Sequence, residues 1–396
     1  MIPSLCTIIA RNHLGRARGL CKSFLRHHPQ GRCYVLIIDG KEDLRQHSNE
    51  PFHVILPGEL SVSNYEELTF KYSVYELCTA IKPFFLSFLL LKTNLASVLF
   101  LDPDILIFNG LNRIYDLFTE YDILLTPHTD RDFPDDGKNP DDSCLLQSGI
   151  FNLGFIGIKR TQNTLNFLSW WMSKTKDKCT TDTTTGYFVD QKFIDFATSF
   201  FEKVYAIRDP GYNVAYWNLH CRQITCERGQ WLCNGRPLYF FHFSGYNPEN
   251  RDVLSVYQNR FKLADLPEVE RLFSLYRETL SENDWDGASR LPYGYNCFSN
   301  GEMIDQKTRR FYQKLLAAGK APDKYPFDAP ELKKRAQIDG LIQLTLRTIN
   351  FLSRVLRIRT SSEPSKIPRG KQKLLRPKSK SRLPESADQF AGQTAE

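Results

Sequence analysis

The chain has 396 residues, of which 41% are hydrophobic, 13% aromatic and 24% charged, and its formal net charge is +7 at pH 7. These proportions are ordinary for a globular enzyme. Between Arg354 and Arg382 the chain carries eleven Lys or Arg and one acid, Glu363, so this segment supplies more than the whole net charge. The remainder is close to neutral, which argues against a nucleic-acid-binding surface over the whole chain.

The N-terminal stretch does not have the features of a secretory leader. Met1 to Ala10 lacks a basic start and a cleavage site, and its apolar pattern predicts a first strand instead. The longest apolar stretch, Pro83 to Leu91, is much shorter than the roughly 20 residues that span a bilayer. We therefore expect a cytoplasmic protein. Its ten cysteines include no CxxC pair, which fits free thiols in a reducing compartment.

Strand and helix patterns alternate through the first half of the chain. One helix is predicted at residues 17–29, where Pro29 ends the pattern, and another at 72–92, where Pro83 interrupts or kinks it. The strands predicted around these helices are CTIIA, CYVLIID, FHVILP, SVLFLDPDILIF, DILLTPH and GIFNLGFIGIK. Continuous apolar strands that alternate with helices predict an α/β fold with a mainly parallel central sheet flanked by helices.

The carboxyl edge of this sheet is where we expect a ligand, because open α/β sheets bind ligands beyond the carboxyl ends of their strands. Asp39, Asp102 and His128 stand at or just after predicted strand ends. Residues 130–142 are rich in Asp, Pro, Gly and Asn, and we expect them to form a mobile lid loop. A nucleotide-type site at this edge is the resulting hypothesis.

The chain is predicted to consist of four parts. Residues 1–265 form the main α/β domain, 266–330 a smaller helical or irregular region, 331–358 an amphipathic helix, and 359–396 a disordered basic tail. The tail is open to three interpretations: a solvated segment, an anchor on an anionic membrane, or a nucleic-acid contact. No aromatic residues are interleaved with its basic residues, so we expect no nucleic acid and keep a peripheral membrane contact through residues 331–382.

The stretch VLFLDPDILIF, residues 98–108, places two acids inside an apolar run. We expect Pro103, which stands between Asp102 and Asp104, to turn the chain at this point. Two carboxylates at the end of a buried strand can hold a hard cation such as Mg²⁺ or Mn²⁺, which often shares its ligands with a phosphate-bearing substrate. The stretch therefore predicts a metal site.

Two other interpretations of the polar residues stay open at this point. An aspartyl-phosphate phosphatase also carries DxD after an apolar strand, but usually on the first strand and with Thr or Val where this chain has Leu106. A zinc site at His220, Cys221, Cys226 and Cys233 has a spacing that matches no zinc-finger pattern.

Five elements in order resemble the GT-A nucleotide-sugar glycosyltransferases, in particular the retaining glycogenin-like family 8 and its bacterial lipooligosaccharide galactosyltransferase branch. They span residues 5 to 247. The motifs that carry the resemblance are the basic residue Lys82 in YELCTAIKPFF, the DxD of Asp102 and Asp104, Asn152 and Gly154 in FNLG, Asp190 and Gln191 in FVDQ, and His242 and Gly245 in HFSG.

The resemblance implies a GT-A (Rossmann-like) fold and a role for each matching residue. Asp102, Asp104 and His242 would hold Mn²⁺ or Mg²⁺ against the diphosphate of a nucleotide sugar, and Gly245 would let the backbone approach a phosphate. The other matching residues are implied to contact the donor: Lys82, Asn152, Gly154, Asp190 and Gln191 around the sugar, and Ala10, Asn12 and Asp39 at the base and ribose. Asp190 and Gln191 would be the catalytic pair that stabilises the reacting carbon.

The sequence departs from the family pattern in two places. Family members have a phosphate-binding Lys after the late glycine, where this chain has Tyr246 to Glu249, and Arg251 is the substitute that the sequence offers. Lys82 stands where the family has Arg, which removes bidentate geometry. We expect metal-dependent transfer of a hexosyl group from a UDP-sugar, with retention, to a glycan, lipid-linked or protein acceptor. The alternative from another class is a non-catalytic sugar-nucleotide-binding or scaffold protein.

Overall fold

The computed structural model describes residues 2–42, 44 and 49–360, with the backbone alone for 355–360. In this part of the chain the strands are β1 (Ser4–Ile9), β2 (Arg32–Ile37), β3 (His53–Ile55), β4 (Ser97–Leu101), β5 (Ile105–Ile107), β6 (Ile123–Pro127), β7 (Phe151–Lys159), β8 (Val204–Ala206), β9 (Ile224–Glu227), β10 (Gln230–Cys233), β11 (Arg236–Pro237) and β12 (Phe240–His242). The α-helices are α1 (Leu14–His27), α2 (Tyr65–Lys71), α3 (Val74–Leu91), α4 (Asn112–Leu117), α5 (Asp142–Ser148), α6 (Gln162–Lys178), α7 (Ala197–Phe200), α8 (Pro267–Glu282), α9 (Trp285–Ser289), α10 (Gln306–Ala317) and α11 (Glu331–Thr360).

The described strands form a seven-stranded central sheet in the order β3-β2-β1-β4-β7-β6-β8. The first four strands in that order are parallel, and β6 and β8 are also parallel. Strand β7 is antiparallel to both of its neighbours, β4 and β6. The predicted fold class, α/β with a mainly parallel central sheet flanked by helices, is confirmed.

The continuous apolar strands are explained by burial on both faces of the sheet. Successive residues of β4 point to opposite faces, so Phe100 packs in the cluster that contains Phe85 of α3, while Leu99 packs in the cluster that contains Phe24 of α1. Helix α3 begins at a capping box in which the Ser73 hydroxyl accepts from the backbone N–H of Glu76.

The predicted interruption of the second helix at Pro83 is wrong. Helix α3 runs unbroken from Val74 to Leu91 with Pro83 inside it. Proline removes one helical hydrogen bond, but this helix buries most of its length against the sheet, and tertiary packing supplies most of the stability of a helix in a protein. Within the described residues, α3 is also the one helix long and apolar enough to cross a membrane, and 61% of that span is buried inside the fold.

A separate group of strands and helices follows the central sheet. Strand β12 pairs with β5, and aromatic residues next to it pack on α8, where the rings of Phe243 and Tyr276 stack with centroids 4.0 Å apart. A further cluster joins Phe70 of α2 to Phe298, Phe327 and Leu332. Within the described residues, one compact unit ends at Gly340 and a second begins at Leu341. The predicted domain boundary at residue 265 stays a prediction.

The predicted amphipathic helix is present as α11, which extends to Thr360. Its first turns carry the buried residues Leu332 and Ala336. Beyond them the apolar side chains are exposed, among them Leu341, Leu344 and Phe351, each more than 60% accessible to solvent. The tail predicted to be disordered, from residue 361 on, lies outside the described residues.

Candidate active site

The two acids of VLFLDPDILIF stand where the chain passes from one sheet to another. Strand β4 ends at Leu101 in the central sheet, and β5 begins at Ile105 and pairs with β12 instead. Pro103 lies in the turn between them, where the backbone N–H of Ile105 donates to the carbonyl of Asp102 at 3.2 Å. The two acids therefore lie in the connection between the strands and belong to neither strand.

Strand pairing brings His242 to the same place. In the β5–β12 register His242 is opposite Ile105, and the backbone N–H of Phe243 donates to the carbonyl of Asp104 at 2.8 Å. The His242 Nε2 atom lies 3.1 Å from Asp104 Oδ1 and 3.8 Å from Asp102 Oδ2. Ligand atoms of the three residues all lie within 4.8 Å of one another.

The charges in this group are strongly coupled. Burial, only partly offset by Lys82 and His242, raises the pKa of Asp102 to about 6. Burial also acts on Asp104, but the charges of His242 and Arg16 outweigh it and lower the pKa of that carboxyl to about 2. Burial lowers the pKa of His242, and the two carboxylates outweigh that effect and raise it. Burial and the neighbouring charges therefore shift the pKa values of all three side chains.

The donor set fits a divalent cation. Two carboxylates and an imidazole are ligands that Mn²⁺ and Mg²⁺ accept, and a cation would compensate the two like charges held side by side. Among the described residues, Asp102, Asp104 and His242 are the group of three ligating side chains that converge in this way. The cysteines at 221, 226 and 233 are free thiols.

Gly154 makes room for the His242 ring. A Cβ atom at this position would lie 2.3 Å from His242 Cε1 and 2.6 Å from His242 Nδ1, which no side chain can accommodate. The carbonyl of Gly154 also accepts from the backbone N–H of Asp102 at 2.9 Å. Asn152, two residues earlier, accepts on Oδ1 from the Gly154 N–H at 3.0 Å. Asn152 and Gly154, both predicted as site residues, therefore lie next to Asp102 and His242.

A buried chain of hydrogen bonds connects Asn152 to His242 through Asn213. Asn213 Nδ2 donates to Asn152 Oδ1 at 3.0 Å and to Thr126 Oγ1 at 2.8 Å, which leaves Asn213 Oδ1 facing His242 Nδ1 at 3.3 Å. On the other side, Asn152 Nδ2 lies 3.2 Å from His128 Nε2, and burial lowers the pKa of His128 to about 4. The neutral His128 ring can therefore accept from Asn152.

Asn213 was missed by the sequence analysis. It is fully buried and adopts φ = +52°, a left-handed conformation that Asn tolerates better than most residues. The only signal was its place in the aromatic and polar segment YNVAYWNLH. In that segment Trp217, 3% exposed, packs edge-on against both His128 and His242 with ring centroids 5.2 Å apart in each case.

Lys82 and Asp190 form a buried ion pair. Lys82 Nζ lies 2.8 Å from Asp190 Oδ2 and donates to the Leu153 carbonyl at 2.9 Å. The side chains are 3% and 2% exposed, respectively. Burial opposes the charge on Lys82, but Asp190 and Asp102 outweigh it and raise the pKa of Lys82.

Gln191 lies next to this pair. Its Oε1 accepts from the Leu153 N–H at 3.1 Å, and its Nε2 donates to the Ser148 carbonyl at 2.9 Å. The backbone of Leu153 in β7, between Asn152 and Gly154, therefore forms hydrogen bonds with both Lys82 and Gln191.

Gly245 lies in the turn after β12 with φ = +71°. A Cβ atom there would lie 2.5 Å from Ser255 Oγ and 2.6 Å from the Tyr257 ring, so both the backbone conformation and the space require glycine. Arg251, which the sequence offered as a phosphate-binding substitute, is exposed to solvent. Its role stays a prediction.

The residues expected to contact the base lie at the ends of β1 and β2. Asp39 accepts from the backbone N–H groups of Arg11 at 2.8 Å and Gly294 at 3.0 Å. Asn12 has a buried Oδ1 without a hydrogen-bond partner among the described residues, and Ala10 is 1% exposed. A cavity of about 570 Å³ opens beside this end of β2, lined by residues that include Gly40, Leu56, Pro57, Tyr65, Tyr295 and Tyr325.

The loop predicted to act as a lid lies between β6 and α5. Arg260 holds it through hydrogen bonds to the carbonyls of Lys138, at 3.1 Å, and Pro140, at 2.8 Å, and through an ion pair with Asp136. The Arg260 side chain is 4% exposed. Mobility of the loop stays a prediction.

Comparison with known proteins gives distant likenesses. No protein-family model matches the chain. The Bacillus subtilis (strain 168) protein YfnF, described as uncharacterised, is 26% identical over 286 residues, which cover 71% of this chain and 92% of YfnF. YfnD of the same strain, also described as uncharacterised, is 28% identical over 247 residues, which cover 61% of this chain and 76% of YfnD.

Two solved structures with a similar fold are described as glycosyltransferases. GlyE of Streptococcus pneumoniae TIGR4 has 15% identity and a TM-score of 0.42, with 75% of this chain and 67% of GlyE covered. The galactosyltransferase LgtC, in complex with donor and acceptor sugar analogues, has 14% identity and a TM-score of 0.43, with 72% and 99% covered. Since these scores are below 0.5, the functional conclusion depends on the geometry of the site itself.

Proposed function

We propose that the protein is a metal-dependent GT-A glycosyltransferase that moves a sugar from a nucleoside diphosphate donor, a UDP-hexose, to a glycan, lipid-linked or protein acceptor. The observation that carries the proposal is the convergence of Asp102, Asp104 and His242 within 4.8 Å at the carboxyl edge of the sheet. An α/β sheet binds its ligand at that edge. A cation there would share its ligands with a phosphate-bearing substrate.

Each group at the edge has a task in this proposal. Asp102, Asp104 and His242 hold Mn²⁺ or Mg²⁺, which when bound neutralises the negative charge that develops on the diphosphate leaving group. Ala10, Asn12 and Asp39, at the ends of β1 and β2, contact the base and ribose. The positive φ of Gly245 turns the backbone next to His242 and leaves it free of a side chain.

The Lys82–Asp190 pair and Gln191 act at the sugar. Positive charge develops on the sugar ring as the leaving group departs, and the Asp190 carboxylate, paired with Lys82, can stabilise it. Gln191 is fixed at both ends of its amide, so its carbonyl oxygen is also pre-positioned. We propose reaction with retention, with Asp190 and Gln191 as stabilisers of the reacting carbon.

The test is a screen of nucleoside diphosphate sugars in which release of the nucleoside diphosphate is followed with Mn²⁺, with Mg²⁺ and with chelator. We expect slow metal-dependent hydrolysis of one donor in the absence of acceptor, abolished in Asp104→Asn. Turnover that survives both chelation and this variant would remove the metal from the proposal. Donor binding without any turnover would favour the non-catalytic sugar-nucleotide-binding protein.

We further propose a peripheral contact with an anionic membrane on the cytoplasmic side, through residues 331–382. From Leu341 to Thr360 helix α11 carries four arginines and no acid, and its apolar side chains between Leu341 and Leu352 are exposed. Apolar and cationic side chains together on one helix suit the boundary between lipid headgroups and acyl chains. Basic residues near such a surface each contribute about 1 kcal/mol.

Sedimentation with vesicles of anionic or neutral lipid tests this contact on the full chain. We expect Leu341→Gln with Leu352→Gln, and separately Arg347→Gln with Arg354→Gln, to reduce binding to anionic vesicles. The arginine variant should also lose the dependence on salt. Equal binding of all three proteins, or equal binding to both lipids, would contradict the contact.

A further inference from the structure

Arg16 lies at the edge of the proposed metal ligands Asp102, Asp104 and His242, which are called the metal group below. No pattern in the sequence indicated this arginine. It lies in the first turn of α1, and its Nη1 is 3.8 Å from Asp104 Oδ2. Its Nη2 donates to the Tyr246 carbonyl at 3.3 Å, one residue after Gly245. The guanidinium therefore lies between Asp104, a proposed metal ligand, and the turn at Gly245.

The Arg16 side chain is fixed in this place. Its guanidinium carbon lies 4.9 Å from the centre of the Trp285 ring, and only 15% of the side chain is exposed. Gly15 permits this packing, because a Cβ atom there would lie 2.9 Å from the Trp285 backbone. A stacked arginine loses less freedom on binding a ligand than a flexible surface side chain does.

Most of the hydrogen-bonding capacity of Arg16 is uncommitted. A guanidinium has five N–H bonds, and within the described residues the one that is used points to the Tyr246 carbonyl. The Nε atom is buried and has no partner there. At 3.8 Å, the Asp104 carboxylate is beyond hydrogen-bonding distance.

Lys82 is not available in the same way. Its ammonium is paired with Asp190 at 2.8 Å and bonded to the Leu153 carbonyl. The segment after Gly245, Tyr246 to Glu249, contains no basic residue, and Arg251 is exposed. Arg16 is therefore the basic side chain that combines contact with the metal group and free N–H donors.

We infer that Arg16 binds the diphosphate of the donor, in the place that a lysine after the late glycine has in the resembled family. The inference rests on the proposed function and names the residue that completes its donor site. A phosphate oxygen that shared a cation with Asp104 would be within reach of the Arg16 fork. Planar N–H pairs match phosphate oxygens bidentately.

The experiment separates binding of the metal from binding of the diphosphate. Mn²⁺ alone is titrated first, followed by inorganic pyrophosphate and UDP in the presence of Mn²⁺, against wild type, Arg16→Gln and Arg16→Lys. For Arg16→Gln we expect pyrophosphate and UDP to bind roughly tenfold to a hundredfold more weakly. Mn²⁺ alone should bind as tightly or more tightly, because a positive charge next to the cation is gone. Arg16→Lys should be intermediate.

The matched control is Arg26→Gln, the same substitution at an exposed position of the same helix, which we expect to change neither affinity. Equal weakening of Mn²⁺ and pyrophosphate in Arg16→Gln would mean that Arg16 only orients Asp104, and would overturn the inference. So would a loss of pyrophosphate affinity in Arg251→Gln with none in Arg16→Gln. Failure of the wild type to bind Mn²⁺ would instead count against the proposed function.

Discussion

The two charged halves of the candidate site are built in opposite ways. In one half, Lys82 and Asp190 meet at 2.8 Å and almost exclude water, so each charge is compensated by the other. In the other half, Asp102 and Asp104 stand two residues apart; burial raises the pKa of Asp102 to about 6, whereas His242 and Arg16 lower the pKa of Asp104 to about 2. The first half pairs its charges within the protein, whereas the second is the half that we propose binds a cation.

The difference predicts different effects on stability for substitutions in the two halves. A buried pair that loses one partner leaves an uncompensated charge, so the Lys82–Asp190 half should be sensitive in stability. A carboxyl whose pKa is raised by burial costs stability when it ionises, and Asp102 is such a group. We therefore expect Asp102→Asn to raise stability and Lys82→Met to lower it, while both reduce turnover.

The largest effect is expected in turnover when the metal half is broken. We expect Asp104→Asn to reduce donor turnover on the order of a thousandfold, because the cation's stabilisation of the leaving group amounts to several kcal/mol. Initial rates at saturating donor and Mn²⁺ measure the loss. Full rescue by excess Mn²⁺ would show that the variant only weakens the cation's affinity.

In the other half, we expect Lys82→Met to lower the free energy of unfolding by about 3 kcal/mol, because Asp190 is left buried and unpaired. Urea unfolding measures the loss. Lys82→Met combined with Asp190→Leu should recover part of it, because an apolar pair of similar volume carries no uncompensated charge. A double variant less stable than the single one would contradict the buried-pair interpretation.

A smaller effect is expected from Asn213, whose Oδ1 faces His242 Nδ1. Residues that orient a metal ligand typically change affinity by roughly tenfold to a hundredfold. We expect Asn213→Gly to weaken Mn²⁺ binding by this amount. Glycine is chosen because it tolerates the positive φ of this position. Asn213→Asp, which keeps the acceptor oxygen, should retain more affinity, although its charge is buried. If the Asp variant binds Mn²⁺ less well than the Gly variant, Asn213 is only a packing residue.

The smallest expected effect is a gain in stability, in the variant Asp102→Asn. Burial raises the pKa of Asp102 from 3.8 to about 6, so between these values the folded state binds a proton that the unfolded state does not. This carboxyl therefore lowers stability as pH rises through that window. In chelator at pH 7 we expect Asp102→Asn to unfold at a higher temperature than wild type, with the advantage lost toward pH 4. A lower unfolding temperature at pH 7 would show that Asp102 stabilises the fold.

The parts of the site that repeat a local pattern could be predicted from the sequence. The alternation of apolar runs predicted the sheet, and the acids in VLFLDPDILIF predicted a pair at its edge. Arg16 and Asn213 have no such pattern, since each owes its position to contacts more than 25 residues away: Arg16 with Tyr246, and Asn213 with Asn152 and Thr126. The continuity of α3 through Pro83 was likewise decided by packing.

The passage of the chain from β4 to β5 has a consequence for protein engineering. The stretch from Val98 to Phe108 supplies two of the three proposed ligands, but its halves belong to different sheets. Grafting this peptide onto another parallel sheet would transfer the acids without the strand that delivers His242. A successful transplant would have to include β5, its partner β12 and the side-chain-free position at Gly154 as one block.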